Sequence, residues 1–215
     1  MNHDSRPLSD LGARLRARFG TALPGVKAQL TMAPHPRVGW DPDHIPAGVR
    51  DAAALVLVYP HAGTLHVPLT VRGATLRNHT GQVSLPGGRV DEGESFETAA
   101  LREAAEEVAI APAAVHVLGR LTPLHIPVSN FLLHPVVGIS DVRPAFARAE
   151  WEVARILEVP IGTLLDPATI RRRTRVRERN GERVEIDVPY FDLFGEQVWG
   201  ATAMVLAEFL ALLRD

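Results

Sequence analysis

Cysteine is absent from all 215 residues, which excludes disulfides, a thiolate metal site and a cysteine nucleophile. Long apolar runs are absent too. No stretch approaches the ~18 residues that a membrane-spanning helix needs, so no membrane role is expected. Charge of one sign is scarce: 23 Lys and Arg against 25 Asp and Glu give a formal net charge of −2. That balance provides no general attraction to nucleic acid or to an anionic membrane. The nine histidines show no HxxxH or HxH spacing, so a zinc site is not expected. The opening MNHDSRPLSD has no apolar core segment and does not read as a signal peptide. A cytoplasmic location is the default expectation.

What is present reads as one ordinary globular unit, 46% hydrophobic and 22% charged, long enough to bury roughly 70% of its unfolded surface. Residues 7–20 predict an amphipathic helix with Ser9 as its cap and Leu8, Leu11, Leu15 and Phe19 on one face. Its apolar face makes a homodimer conceivable. Five prolines between residues 21 and 50 predict an extended wrapping segment, so 1–50 is set apart from a main domain at 51–215. Ala52–Tyr59 reads as a buried central strand. Thr64–Arg72 reads as its return, with Pro68 at a bulge or edge, and Gly81–Leu85 as a short strand broken by Pro86-Gly87-Gly88. Val115–Leu121 and Phe131–Ile139 read as strands with a loop at Thr122–Asn130. Trp151–Leu157 and Ile161–Leu165 read as short helical pieces, and Val198–Leu213 as a long helix. Asn180-Gly181 predicts a hairpin turn between Thr174–Glu178 and Arg183–Val188. Strands with interleaved helices predict an α/β fold, a mixed sheet covered by helices on both faces.

The chemistry concentrates at Gly87–Ile110, GGRVDEGESFETAALREAAEEVAI. A glycine-rich turn precedes a helix capped by Ser95. Glu103, Glu106 and Glu107 stand at i, i+3 and i+4, on one helical face. Like charges so placed repel by roughly 0.2–0.5 kcal/mol per pair, so a cation is expected among them. Hard carboxylate oxygens suit Mg2+ or Mn2+. Ligating the ion and accepting a proton from an attacking water are both within their chemistry, and Glu103 and Glu106 compete for the second role.

Gly88, Glu94 and the run Arg102-Glu103-Ala104-x-Glu106-Glu107-x-Ala109-Ile110 resemble the signature box of the Nudix hydrolases. Ala109 stands where the family has Gly, and Ala104 is smaller than the residue often found there. The resemblance implies the Nudix α/β/α sandwich and metal-dependent diphosphate hydrolysis. It also implies a Gly87 backbone carbonyl in the metal shell and a Glu94–Arg102 pair that fixes the loop to the helix. Upstream, Leu69-Thr70-Val71-Arg72 and Leu76-Arg77-Asn78-His79-Thr80-Gly81-Gln82-Val83-Ser84-Leu85-Pro86-Gly87-Gly88 are similar to the segment ahead of the box in coenzyme A pyrophosphatases. Pro68, Gly73 and Leu85 depart from that pattern. Val159-Pro160-Ile161 and Val198–Ala203 resemble later segments of the same subfamily.

The substrate implied is coenzyme A or a thioester, cleaved to 3′,5′-ADP and 4′-phosphopantetheine or its acyl form. The departures keep ADP-ribose, NADH and nucleoside triphosphates as alternatives, with a noncatalytic nucleotide-binding regulator as a third reading. Arg72 and Arg77 offer forks for phosphate oxygens or anchor loops. His79 and Gln82 contact substrate or satisfy local backbone. Glu150 and Glu152, placed at the start of a helix, are outside candidates for an auxiliary base or metal ligand. The basic run Arg171–Arg179 reads as a hairpin paired with its own acids, without the interleaved aromatics of a nucleic-acid surface.

Overall fold

The apolar run at Ala52–Tyr59 forms the middle of strand β1 (Arg50–His61) in the computed structural model, which describes residues 6–36, 44–73, 82–179 and 182–214. The run has no polar face because both its faces are covered. Ala53, Leu55, Leu57 and Tyr59 join the core with Ala99, Ala100, Ala104 and Val108 of helix α3 (Phe96–Val108). Ala54, Val56 and Val58 join the core with Met204, Val205 and Phe209 of helix α5 (Ala201–Arg214). The period-2 alternation of a strand therefore divides one run of residues between two helical layers. This is the α/β/α sandwich that the pattern predicts.

β1 lies in an eight-stranded mixed sheet. It runs parallel to β7 (Phe131–Ile139) and antiparallel to β2 (Thr64–Arg72), turning through Ala62 and Gly63 at φ 47° and 77°. Strand β3 (Val83–Ser84) pairs with β2 at Thr70 and Val71. Pairing of β1 with β2 ends at His66, so Pro68, which has no N–H to give, falls in the gap on that side. The irregularity in β2 lies between Val71 and Arg72, not at Pro68. Strand β5 (His116–Arg120) and the three-residue β6 (Leu124–Ile126) both pair with β7. The loop expected over Thr122–Asn130 thus holds a strand.

Two predicted features need correction. Pro86-Gly87-Gly88 is not a turn, because Gly87–Arg89 form strand β4, paired with Ala52–Ala54 of β1. The glycines serve close approach. A Cβ on Gly87 would run into the Ala53 carbonyl and the Ala54 Cα, and one on Gly88 into the Glu103 carboxylate. Trp151–Leu157 is not a helix, because Val153–Pro160 form β8, antiparallel to β2. Val153 packs in the layer of α3 and Leu157 and Val159 in the layer of α5, on either side of the irregularity opposite Val71 and Arg72, and β-branched residues on a half-buried pleat favour a strand. Glu150 and Glu152 accordingly lie in the turn ahead of β8.

Helix α1 (Arg6–Phe19) buries Leu8 and Leu15 against the chain's own core. Ser9 lies inside it rather than at its cap. The wrapping segment also differs from the extended form expected, since Gly25–Leu30 form helix α2. Its buried Gln29 donates to Glu208 Oε2 and to the Thr122 carbonyl, both at 2.8 Å. Glu208 Oε1 in turn accepts from the Thr122 hydroxyl at 2.7 Å and the Gly25 N–H at 3.1 Å. A carboxylate that is 0% exposed is thereby satisfied by neutral donors.

Ile161–Leu165 form the short helix α4 as predicted. Strands β9 (Ile170–Arg179), β10 (Glu182–Leu193) and β11 (Glu196–Trp199) make a second antiparallel sheet. The Asn180-Gly181 turn lies outside the described residues. Among the described residues no helix is long and apolar enough to cross a membrane.

Candidate active site

Helix α3 starts where the sequence places it. Ser95 accepts the Thr98 N–H at 3.1 Å, and Glu97 sits in the first turn. Beneath that end His134 of β7 stacks on Phe96 with ring centroids 3.6 Å apart and meets Asp51 of β1 at 2.7 Å, seating the helix on the sheet. At the other end Ala109 adopts φ 58°, ψ 31°, the left-handed cap at which Gly would be at ease.

The three acids of the helix have different surroundings. Arg102 is the hub. It holds Glu94 with two hydrogen bonds of 3.1 Å, donates to the Arg89 carbonyl at 2.9 Å, and reaches Glu103 at 2.8 Å and Glu106 at 3.5 Å. The Glu94 pair is therefore made, and it ties β4 and the loop after it to α3. Arg102 holds the Glu94 carboxyl below its ordinary range, and Glu94 raises the guanidinium in return. Arg102 also supplies part of the positive charge that the acidic face calls for. Glu106 is the outer acid, its side chain 60% exposed.

Glu103 and Glu107 turn inward. Burial pushes the Glu103 carboxyl up, against the pull of Arg102, with the Glu106 and Glu152 charges adding to the rise. Glu107 is 4% exposed, and burial followed by the Glu152 charge pushes its carboxyl up to about 8. A hydrogen bond from the Gly87 backbone opposes that rise, yet its Oε2 is buried with no hydrogen-bond partner. A buried carboxylate oxygen without a donor costs several kcal/mol when ionised. Glu107 is thus the group here that most requires a cation, and a divalent ion of the hard class fits its chemistry. Among the described residues no three acidic or histidine side chains already converge into a finished metal shell, since Arg102 draws Glu103 and Glu106 toward itself. The structure presents the donors, with Glu107 deepest.

A fourth carboxylate arrives from a distant part of the chain. Glu152 meets Arg72 at 2.7 Å, and both its charge and that of Arg72 act on Glu107. The turn bearing it is fixed from both sides: the Ala149 N–H donates to the Glu107 carbonyl and the Gly73 N–H to the Glu152 carbonyl, each at 2.8 Å. Of the two outside acids, the fold brings in Glu152. Glu150, its side chain 80% exposed, pairs with Arg148 instead. The Arg72–Glu152 pair carries no local sequence signal. Only the β2–β8 register, which sets Arg72 opposite Val153, brings the two together.

The remaining candidates are less engaged. The Gln82 carbonyl accepts the Arg72 N–H at 3.0 Å, so its backbone continues the strand pairing. Arg77 and His79 lie outside the described residues. In the basic run, Arg172 pairs with Asp187. Arg173 and Arg175 stand over the Trp199 ring at 5.5 and 4.5 Å, an aromatic partner supplied by β11 that the linear run does not reveal.

Known proteins similar to this chain were found by sequence and by fold. The NUDIX domain matches residues 49–173. A protein of Cronobacter sakazakii named as an uncharacterized Nudix hydrolase, NudL, is 43% identical over 162 residues, spanning 74% of this chain and 80% of that protein. Its namesake in Pectobacterium atrosepticum is 40% identical over 168 residues, spanning 77% and 84%. Among solved structures, a MutT protein of Methanosarcina mazei Go1 superposes with a TM-score of 0.49 at 16% identity, covering 77% of this chain and 95% of that one.

Proposed function

The chain belongs to the Nudix family, and on that premise we propose that it hydrolyses the diphosphate of coenzyme A or its thioesters to 3′,5′-ADP and 4′-phosphopantetheine or its acyl form. The coarser statement, a pyrophosphohydrolase acting on a nucleoside diphosphate derivative, follows from membership. The finer one is carried by one observation. The coenzyme A-type run from Leu76 to Gly88 ends in β4, whose Gly88 lies directly against the Glu103 carboxylate and whose Gly87 bonds Glu107.

In this reading Glu103, Glu106, Glu107 and the Gly87 carbonyl hold Mg2+ or Mn2+. Such an ion supplies charge neutralisation at the phosphate oxygens and a more acidic bound water. The protein's own groups do the rest. Glu94 and Arg102 hold β4 and α3 in register so that the carboxylates do not drift. Glu103 and Glu106 divide two roles, one ligating the ion and the other taking the proton of the attacking water; at Glu103 only Oε2 is left for either, because Oε1 is engaged by Arg102. Arg72, held beside Glu107 by Glu152, presents a guanidinium to the diphosphate. Arg77, His79 and Gln82 extend the contact along the substrate. On this reading the enzyme works in the cytoplasm, where a chain without cysteine forgoes nothing.

The test is a substrate panel with Mg2+ and Mn2+: coenzyme A, an acyl-coenzyme A, ADP-ribose, NADH and nucleoside triphosphates. Release of 3′,5′-ADP at a kcat/KM well above that of the others is the expected result. Preference for ADP-ribose, NADH or a triphosphate would move the substrate and keep the chemistry. Binding without turnover of any of them would favour a regulator.

A further inference from the structure

Trp151 is 74% exposed, the most exposed large apolar side chain among the described residues. It occupies the turn that carries Glu152 into the active site, between Ala149 and Val153. That turn is rigid. The Glu152 and Val153 N–H groups both donate to the Ala149 carbonyl, at 3.0 and 2.8 Å, and the backbone on either side is tied to Glu107 and Gly73. Trp151 directly precedes Glu152, and while the Glu152 carboxylate meets Arg72 the Trp151 ring stands largely in solvent. Leaving so large an apolar surface in water contributes nothing to folding. The ring is carried next to Glu152 on a turn whose backbone is tied to Glu107 and Gly73, as expected of a surface shaped for a planar partner.

We propose that Trp151 is a substrate-binding residue that stacks on the base of the nucleotide whose diphosphate lies at Glu103, Glu107 and Arg72. A substrate of this class has one planar aromatic group, its base, set apart from the reacting phosphates by a sugar. Stacking on a π-face needs no hydrogen-bond partner and is available to every base, so it secures the non-reacting end while the carboxylates handle the diphosphate. The proposal rests on the reading of the site as a nucleoside diphosphate hydrolase.

The experiment measures binding directly, by calorimetry on the full-length metal-loaded protein, with 3′,5′-ADP, 4′-phosphopantetheine and inorganic pyrophosphate as separate probes. Trp151→Ala should weaken 3′,5′-ADP about tenfold. Trp151→Phe should restore most of that loss, and both variants should bind the other two probes as wild type does. Unchanged 3′,5′-ADP affinity in Trp151→Ala overturns the proposal. So does weakening of 4′-phosphopantetheine alone or to the same degree, since the ring would then serve the other half of the substrate or only the fold of the turn. Turnover of coenzyme A by wild type, measured alongside, keeps the two readings apart. Weakened 3′,5′-ADP binding without turnover fells the hydrolase reading and leaves the stacking one. Turnover with unaltered binding does the reverse.

Discussion

Arg72 and Glu152 are 80 positions apart in sequence and 2.7 Å apart in the fold, and the pair stands beside the buried Glu107. Its two side chains are about 30% exposed, so as an ion pair it is worth at most about 1 kcal/mol of stability. Its value is to the site. Glu152→Gln is expected to lower the melting temperature only slightly while reducing kcat/KM by on the order of 10–100-fold, the usual cost of losing a group that orients metal-site residues. Thermal melts read beside steady-state kinetics separate the two effects.

Glu107 makes stability depend on pH. Its folded pKa of about 8 lies above the ordinary carboxylate value, so the folded protein favours its protonated form. That contribution is complete below about pH 4.5 and is lost as pH rises through 8. Metal-free wild type should therefore lose stability relative to Glu107→Gln between pH 5 and 8. Added Mg2+ or Mn2+ should raise the melting temperature of wild type more at pH 8 than at pH 5, and should do little for the variant. Denaturant titrations at both pH values, with and without metal, check each part.

Ala109 holds a left-handed conformation, φ 58°, that costs a non-glycine residue roughly 1 kcal/mol. Ala109→Gly is expected to stabilise by up to about 1 kcal/mol, a rise of roughly 2–4 °C for a chain of this size. KM should not move, because the carboxylate-bearing side of α3 is unaltered. Differential scanning calorimetry and a KM measurement decide it.

At the far end of β1 the Tyr59 hydroxyl donates to Glu158 at 2.9 Å, and Arg143 grips the same carboxylate at 2.6 and 2.7 Å. Burial alone would raise Glu158, but the Arg143 and Tyr59 hydrogen bonds outweigh it and hold the carboxyl below its ordinary value. The stability this brings is present above about pH 4.5 and fades as pH falls through the lowered folded value. Arg143→Met should cost about 1 kcal/mol at pH 7, allowing for the screening of an Arg that is 40% exposed. The gap from wild type should close toward pH 3, as urea titrations across that range would show.

Legibility in the sequence followed the range of the interactions. Ser95, the acids of α3 and the apolar run of β1 were readable because caps and periodicities are local. The fold class followed from them. Gly87-Gly88 was misread because a glycine pair signals a turn or a close approach equally well, and only the pairing with Ala53 and Ala54 decides between them. Trp151–Leu157 reads as helix for a similar reason: the pairing with β2 that makes Val153–Pro160 a strand comes from far away in the chain. The sequence pairs Arg102 with Glu94 alone, and only the fold sets it over Glu94, Glu103 and Glu106 at once. The contrast between Glu106 in solvent and Glu107 buried depends on how α3 rolls against β4, which residue spacing does not specify.

The most direct measurement compares wild type with Glu107→Gln in coenzyme A turnover, with Mg2+ or Mn2+ present and with the metal chelated, following 3′,5′-ADP by chromatography. The expected result is metal-dependent release by wild type and a kcat lower by on the order of 10^3 or more in the variant, as for loss of a central electrostatic contributor. Turnover by Glu107→Gln near the wild-type rate, or turnover that survives chelation, would contradict a diphosphate hydrolase centred on Glu107.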